Sequence, residues 1–226
     1  MNIAIILAAG DSQRMRGINK VFCPIKGKPL IFYTISAFEK HPKIGKTILV
    51  VKSADFRKIF LLIKKFKFKK IVTLVKGGKK RQDSAFNGLK AAGKLGAGTG
   101  DLILFHNGSN PLISQKEITD VIRAAKKNKV ALVAQPARDT IKERNKNGFV
   151  VRTINRERIF LAQTPQVIEY ELAKIAFKKA FAEKFYGTDD VSLVERLGIK
   201  PKIVQASFKN IKVTYSGDLK FVESQL

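Results

Sequence analysis

The sequence predicts a doubly wound α/β fold, a mostly parallel sheet covered by helices, with a β-arm projecting from it. Three observations carry this. Five short runs, Ile3–Leu7, Ile48–Val51, Ile71–Val75, Leu102–Phe105 and Ala131–Ala134, are nearly continuous in Ile, Val, Leu and Ala, as strands buried on both faces of a parallel sheet are. Helical patterns separate them, at Pro29–Glu39, Ala54–Lys65, Asp83–Ala92 and Gln115–Asn128. Such β–α alternation builds a parallel sheet with helices packed on it. After residue 136 the alternation gives way to two short β-like segments.

Each element has a local reason. Pro29 suits a first helical turn, where its missing N–H costs nothing, and Ser114 is placed to cap the helix starting at Gln115. Arg138–Glu143 and Phe149–Thr153 are joined by Asn145-Lys146-Asn147-Gly148, and Asn-Gly at the end of such a turn is a hairpin signal. A two-stranded ribbon is marginal alone, so this arm is expected to pack on another subunit. Helices follow at Tyr170–Lys184 and Asp189–Leu197, then a strand at Lys202–Ala206. A short strand at Ile211–Thr214 and a helix at Gly217–Ser224 close the chain. There is no internal repeat and no low-complexity linker.

Composition narrows the function. The chain has 226 residues, 45% of them hydrophobic, which excludes wholesale disorder. One Cys excludes an internal disulfide framework and a multi-Cys zinc site, and His41 and His106 alone argue against a His-rich metal centre. The longest apolar stretches fall short of the ~20 residues of a membrane helix. The N-terminal apolar run lacks a basic segment before it and reads as a first strand, so the expected setting is cytoplasmic. The net charge of +26 would attract nucleic acid, anionic membrane or phosphorylated metabolites. The densest basic run, Lys64–Lys70, reads either as a nucleic-acid stripe or as a helix end leading into a half-buried strand. The second reading is preferred, because excess Lys is spread along the whole chain.

Ligands of doubly wound sheets bind at the carboxyl ends of the strands, so the loops after strands carry the motifs. The first loop, Leu7–Met15, opens with Ala8-Ala9-Gly10 and is followed by Lys20. Small residues there allow a ligand to approach the backbone and its N–H groups; a plain βα turn would read the same way. It is not a Walker loop. The second loop, Lys76–Leu89, contains Gly77, Gly78, Asp83 and Ser84. It suits base or sugar recognition, or simply helix capping by Asp83. The third is His106-Asn107-Gly108-Ser109-Asn110-Pro111. ARDTIK at 137–142, TINR at 153–156, AQTPQ at 162–166, GTDDVSLVE at 187–195 and NIKVT at 210–214 complete the set.

In this order and spacing the motifs resemble the 2-C-methyl-D-erythritol 4-phosphate cytidylyltransferase family over nearly the whole chain, and the related ribitol 5-phosphate cytidylyltransferases. The resemblance implies a Rossmann-like nucleotidyltransferase fold. It implies one domain over 1–226, with an arm at about 137–156 that embraces a second subunit in a homodimer. It also implies CTP and a polyol phosphate as substrates, with Mg2+ or another divalent cation bound mainly through the CTP phosphates. Matched by position, Ala8, Ala9 and Gly10 belong to the CTP loop and Gly77, Gly78, Asp83 and Ser84 to the cytidine segment. Arg14 and Lys20 match the basic pair on the phosphates, and Lys212 a second catalytic lysine. Asn107, Thr140 and Arg156 fall at acceptor positions. Membrane and nucleic acid are not implied as partners.

The implied chemistry explains why no general base or nucleophilic side chain stands out. A phosphate monoester is largely dianionic at pH 7 and can attack the α-phosphorus of CTP directly. Positioning and charge neutralisation are then what the protein must supply. Two departures bear on the acceptor. The family usually has Asp where this chain has Asn107 and Arg where it has Asn110, so one acid and one base are lost together. Ser12 also stands where a second Gly is common, and Asn19 where Pro is usual before the lysine. Transfer to another sugar-alcohol phosphate, a catalytically weak nucleotide-binding paralogue and a basic RNA-binding protein are the alternative readings.

Overall fold

The computed structural model describes residues 1–12 and 19–226. The chain begins with β1 (Asn2–Leu7), a hairpin of β2 (Pro24–Ile25) and β3 (Lys28–Pro29), and α1 (Leu30–Lys40). Three βα units follow: β4 (Lys46–Val51) with α2 (Phe56–Phe66), β5 (Ile71–Lys76) with α3 (Arg81–Lys94), and β6 (Leu102–Asn107) with α4 (Gln115–Asn128). Then come β7 (Val130–Pro136), the ribbon β8 (Ile141–Arg144) and β9 (Val150–Ile154), β10 (Phe160–Glu169), α5 (Tyr170–Ala182), α6 (Val191–Glu195), β11 (Lys202–Gln205) and α7 (Ser216–Gln225).

Among the described residues the main sheet has the order β11-β7-β10-β6-β1-β4-β5. All pairings are parallel except those of β10, which runs antiparallel to both β6 and β7. The continuous apolar runs follow from burial on both faces. Ala4 and Ile6 of β1, Leu49 and Val51 of β4, and Leu104 of β6 face one core with α1, α2 and α4. Ile3, Ile5, Ile48, Val50 and Phe105 face the other core, under α3, α5 and α6. Gly88 lets α3 lie close to the sheet, since a Cβ there would stand 2.5 Å from Ile5 Cγ2.

The five predicted strands and the helices between them are present, with shifted ends. Pro29 is the residue before α1, with extended ψ of 146°, and not in its first turn. The helix expected from Asp83 starts at Arg81, because the Asp83 carboxylate accepts the Lys80 N–H at 2.8 Å. Ser114 caps α4 as expected, its Oγ accepting from Glu117 N–H. Two corrections are larger. The strand expected at Ile211–Thr214 is not a strand. Its alternation, with Val213 buried and Lys212 exposed, reports an extended chain with one buried side, and Val213 N–H donates to the Ser109 carbonyl at 2.8 Å. Conversely β10, quoted only as AQTPQ, is a central strand that absorbs Pro165 where its register with β7 shifts between Ala162 and Gln166.

The basic run at 64–70 turns its aromatic side inward. Phe66 and Phe68 pack on Phe32, at centroid distances of 4.4 and 5.8 Å, while Lys64, Lys65, Lys67 and Lys69 are exposed. The ribbon exposes Phe149, Val150 and Val151, each more than half accessible. No described helix is long and apolar enough to cross a membrane.

Candidate active site

The strand order reverses at β1, which has β4 on one side and β6 on the other. A crevice is expected at the carboxyl ends of strands at such a point, and a cleft of about 450 Å3 lies there. Its floor is tied together by backbone bonds beyond the strand ends. Ala8 N–H donates to Val50 O at 2.7 Å, Gly77 N–H to Val51 O at 2.9 Å, and Gly108 N–H to Leu7 O at 2.8 Å.

The cleft gathers residues from across the sequence. Ala8, Ala9, Gly10, Lys20, Gly77, Gly78, Ser84, Asn107 and Lys212 all line it. Gly77 is required by contact: a Cβ there would stand 2.3 Å from Ala9 Cβ, so the loops after β1 and β5 touch only because Gly77 has none. Gly10 is different. Among the described residues nothing lies within 4 Å of where its Cβ would be, and Gly10 lines the cleft. Ser84 Oγ accepts from Gly78 N–H at 3.0 Å and donates to Lys80 O at 3.2 Å, which shapes the second loop. Ser12 sits at φ +52°, a left-handed position that favours glycine, and its Oγ accepts the Lys20 N–H at 3.3 Å.

Other sequence-picked residues lie elsewhere. Asp83 does not line the cleft, its carboxylate being engaged in capping α3. Thr140 and Arg156 are exposed residues at the base of the ribbon, outside the cleft of this single chain. The Arg156 guanidinium donates to the Arg138 carbonyl. Arg14 lies outside the described residues. Sequence reasoning gave no role to Lys52, Lys76, Lys79, Lys80 or Arg81, which also line the cleft. Their positions at the end of β5 and directly after β4 and β5 are the available signal. Lys52 Nζ is paired with Asp11 Oδ1 at 2.6 Å, and Lys80 Nζ stands 3.4 Å from the centre of the Tyr186 ring.

Arg81 is the most firmly held of these. Its guanidinium meets the buried Asp190 carboxylate through two bonds, of 2.8 and 2.5 Å. Burial works against the Arg81 charge, but Asp190 more than offsets it and holds the pKa above the ordinary arginine value. On the opposite side the two unusual asparagines touch: Asn107 Nδ2 donates to Asn110 Oδ1 at 3.2 Å. Two neutral amides meet there, with no ion pair. Beneath them His106 is fully buried, its Nε2 against Asn110 O at 3.0 Å. Burial pushes its pKa down to about 4, opposed by backbone partners including Asn110, so it is neutral at pH 7.

Among the described residues no three or more His, Cys, Asp or Glu side chains are grouped so as to hold a metal ion. The arrangement is a cationic cleft with open backbone at its floor, suited to a polyphosphate. The sequence model of the 2-C-methyl-D-erythritol 4-phosphate cytidylyltransferase (IspD) family matches residues 2–226. The cytidylyltransferase of that name from Caldanaerobacter subterraneus is 40% identical, over 99% of this chain and 98% of its own length. That of Bacillus licheniformis is 39% identical, over 100% and 96%. The 4-diphosphocytidyl-2C-methyl-D-erythritol synthase of Anaerococcus prevotii superposes with a TM-score of 0.87 at 29% identity, covering 100% of this chain and 95% of that one. The Francisella tularensis cytidylyltransferase superposes at 0.83 with 28% identity, covering 100% and 99%. With the family's sequence model matching residues 2–226 and the fold of its solved members superposing over the whole chain, the chain belongs to the 2-C-methyl-D-erythritol 4-phosphate cytidylyltransferase family.

Proposed function

We propose that this cleft transfers the cytidylyl group of CTP to 2-C-methyl-D-erythritol 4-phosphate, forming CDP-methylerythritol and pyrophosphate on the non-mevalonate route to isoprenoid precursors. The observation that carries the reading is the convergence of Ala8–Gly10, Gly77, Gly78, Lys20 and Lys212 on one cleft from four separate parts of the chain. An acceptor phosphate oxygen attacks the α-phosphorus. The new P–O bond forms as the bond to the β-phosphate oxygen breaks, and pyrophosphate carries away the electron pair. The attacking group is already anionic, so no side chain need take its proton. Lys20 and Lys212 offset charge on the phosphoryl oxygens, and the loops at 8–10 and 77–78 hold the nucleotide through backbone groups.

A divalent cation fits this site as a guest of the phosphates. The protein offers hard oxygen donors at Asp11 and Asn107, and Mg2+ in such sites is held by one or two protein oxygens plus substrate phosphates. Bound there, it would withdraw charge from the phosphoryl oxygens.

The whole chain acts in this reading as one catalytic domain. Its ribbon, exposing Phe149, Val150 and Val151, reaches a second copy in a homodimer and brings Thr140 and Arg156 towards the partner's acceptor. This reading sets the enzyme in the cytoplasm. A second reading, another sugar-alcohol phosphate such as ribitol 5-phosphate, is favoured by the Asn107–Asn110 pair alone, since amides replace charges on the acceptor side. The test is pyrophosphate release with CTP and Mg2+, comparing the two acceptors under identical conditions. Turnover with methylerythritol phosphate is expected. Turnover with ribitol phosphate alone would move the enzyme to the second reading, and no turnover with either would remove both.

A further inference from the structure

Two motifs singled out in the sequence, AQTPQ and TDD, supply no residue to the cleft lining. They meet beneath it. Gln166 of β10 is buried and its amide is fully used: Oε1 accepts from Asp190 N–H at 2.7 Å and Val191 N–H at 3.1 Å, and Nε2 donates to Asp189 Oδ2 at 2.8 Å. Asp190 in turn grips Arg81 on the nucleotide wall. Gln82 beside it bridges the same two segments, donating to Phe185 O at 3.0 Å and accepting from Gly187 N–H at 2.9 Å. On the other flank of Pro165, Thr164 serves the opposite wall. Its carbonyl accepts Asn210 Nδ2 at 3.0 Å and its hydroxyl accepts Asn107 N–H at 3.3 Å. Asn210 is fully buried and stands two residues before Lys212. The Lys212 segment has no strand ladder of its own, so these side-chain bonds hold it together with the backbone bond from Val213 N–H to Ser109 O.

We infer that Thr164 and Gln166 form a buried crossbeam that sets the two walls of the cleft separately, with Gln166, Asp190 and Asn210 acting as positioning residues. Gln166 acts through Asp190 on Arg81 and the nucleotide loop, and the Thr164 carbonyl through Asn210 on Lys212. The kinetic part of this inference rests on the proposed cytidylyl transfer.

The two arms predict different kinetic signatures. Gln166→Leu should raise KM for CTP ~10-fold or more with kcat held within ~3-fold, because the loss of position falls on nucleotide binding. Asp190→Asn, which keeps the side-chain shape, should move the same parameter and be non-additive with Gln166→Leu. Asn210→Ala should lower kcat ~10-fold with KM for CTP unchanged, and should be additive with Gln166→Leu. A general loss of stability would move both parameters together in all three variants, and that result, or no change in any, would overturn the inference. If the wild-type chain neither binds CTP nor releases pyrophosphate, the reaction itself is wrong, and amide exchange still tests the crossbeam. Gln166→Leu should speed exchange in the 77–84 and 185–191 segments, and Asn210→Ala in 207–214. Equal loosening of both walls by each variant, or of neither, would overturn it.

Discussion

Gly77→Ala probes the contact between the two nucleotide loops. The added methyl carbon would stand 2.3 Å from Ala9 Cβ and 3.2 Å from Ser84 Oγ. Ordinary carbon–carbon contact begins near ~3.5 Å, so the loops after β1 and β5 must part by about 1.2 Å. Neither neighbour can rotate away, because Ala9 Cβ is fixed to the backbone and Ser84 Oγ is tied to Gly78 and Lys80. Overpacking of this kind costs about 1–3 kcal/mol. For a chain of this length that lowers Tm by about 2–12 °C. A displacement near 1 Å in a binding loop costs on the order of 100-fold in catalytic efficiency. Gly10→Ala is the companion variant. Its methyl meets no atom of the described residues within 4 Å, so Tm should stay within ~1 °C, while CTP affinity falls because the methyl occupies the space of the nucleotide. Thermal melts and CTP titration calorimetry on both variants read the two quantities independently. CTP affinity unchanged in Gly77→Ala would refute the reasoning about loop contact. Unchanged affinity in Gly10→Ala would show that CTP does not lie against that backbone.

Four further outcomes are expected. Lys20→Ala and Lys212→Ala should each lower kcat about 100- to 1000-fold, and rates near wild type in steady-state assays would remove either from the reaction. Arg156→Ala should raise KM for the acceptor about 10-fold with KM for CTP unchanged; a selective loss of CTP affinity would contradict its assignment. Deleting the turn at 145–148 should weaken self-association, read by sedimentation as a shift towards monomer, and an unaltered dissociation constant would argue against arm exchange. His106 should make stability acid-sensitive. Its folded pKa is pushed down to about 4 from 6.5, so on acidification the unfolded chain takes up the proton first. The contribution is complete above about pH 6.5 and is lost as pH falls towards 4, amounting to about 3 kcal/mol. Urea midpoints measured across that window should show a slope that is reduced in His106→Gln.

Most of the sheet was legible because burial on both faces leaves an unambiguous trace: strands such as Ile3–Leu7 and Leu102–Phe105 have no polar side to confuse the reading. β10 was not legible for the converse reason. Its centre, Gln163-Thr164-Pro165-Gln166, is polar and contains a proline, which argues against a central strand. The side chains of Thr164 and Gln166 are tolerated because partners up to 57 residues away satisfy them, and no local pattern shows that. The residues around 212 were misassigned because alternation reports a one-sided extended chain, whether or not a neighbouring strand exists. Within the cleft, glycines and motif lysines were readable from their positions after strands. Asp190 was quoted only as part of a motif, and its pairing with Arg81, 109 residues away, belongs to the fold.

The antiparallel β10 also sets a timetable for synthesis. β5, β4, β1 and β6 are all encoded before residue 108 and can assemble as soon as that stretch leaves the ribosome. The free side of β6 must then wait for a partner translated more than fifty residues later, and β7 cannot join the sheet until the same strand arrives. At about 5–20 residues per second, the apolar edge Leu102–Phe105 stays open for roughly 3–12 s. Open strand edges invite pairing with other chains, so nascent chains in which β6 has left the ribosome and β10 has not are exposed to aggregation through this edge.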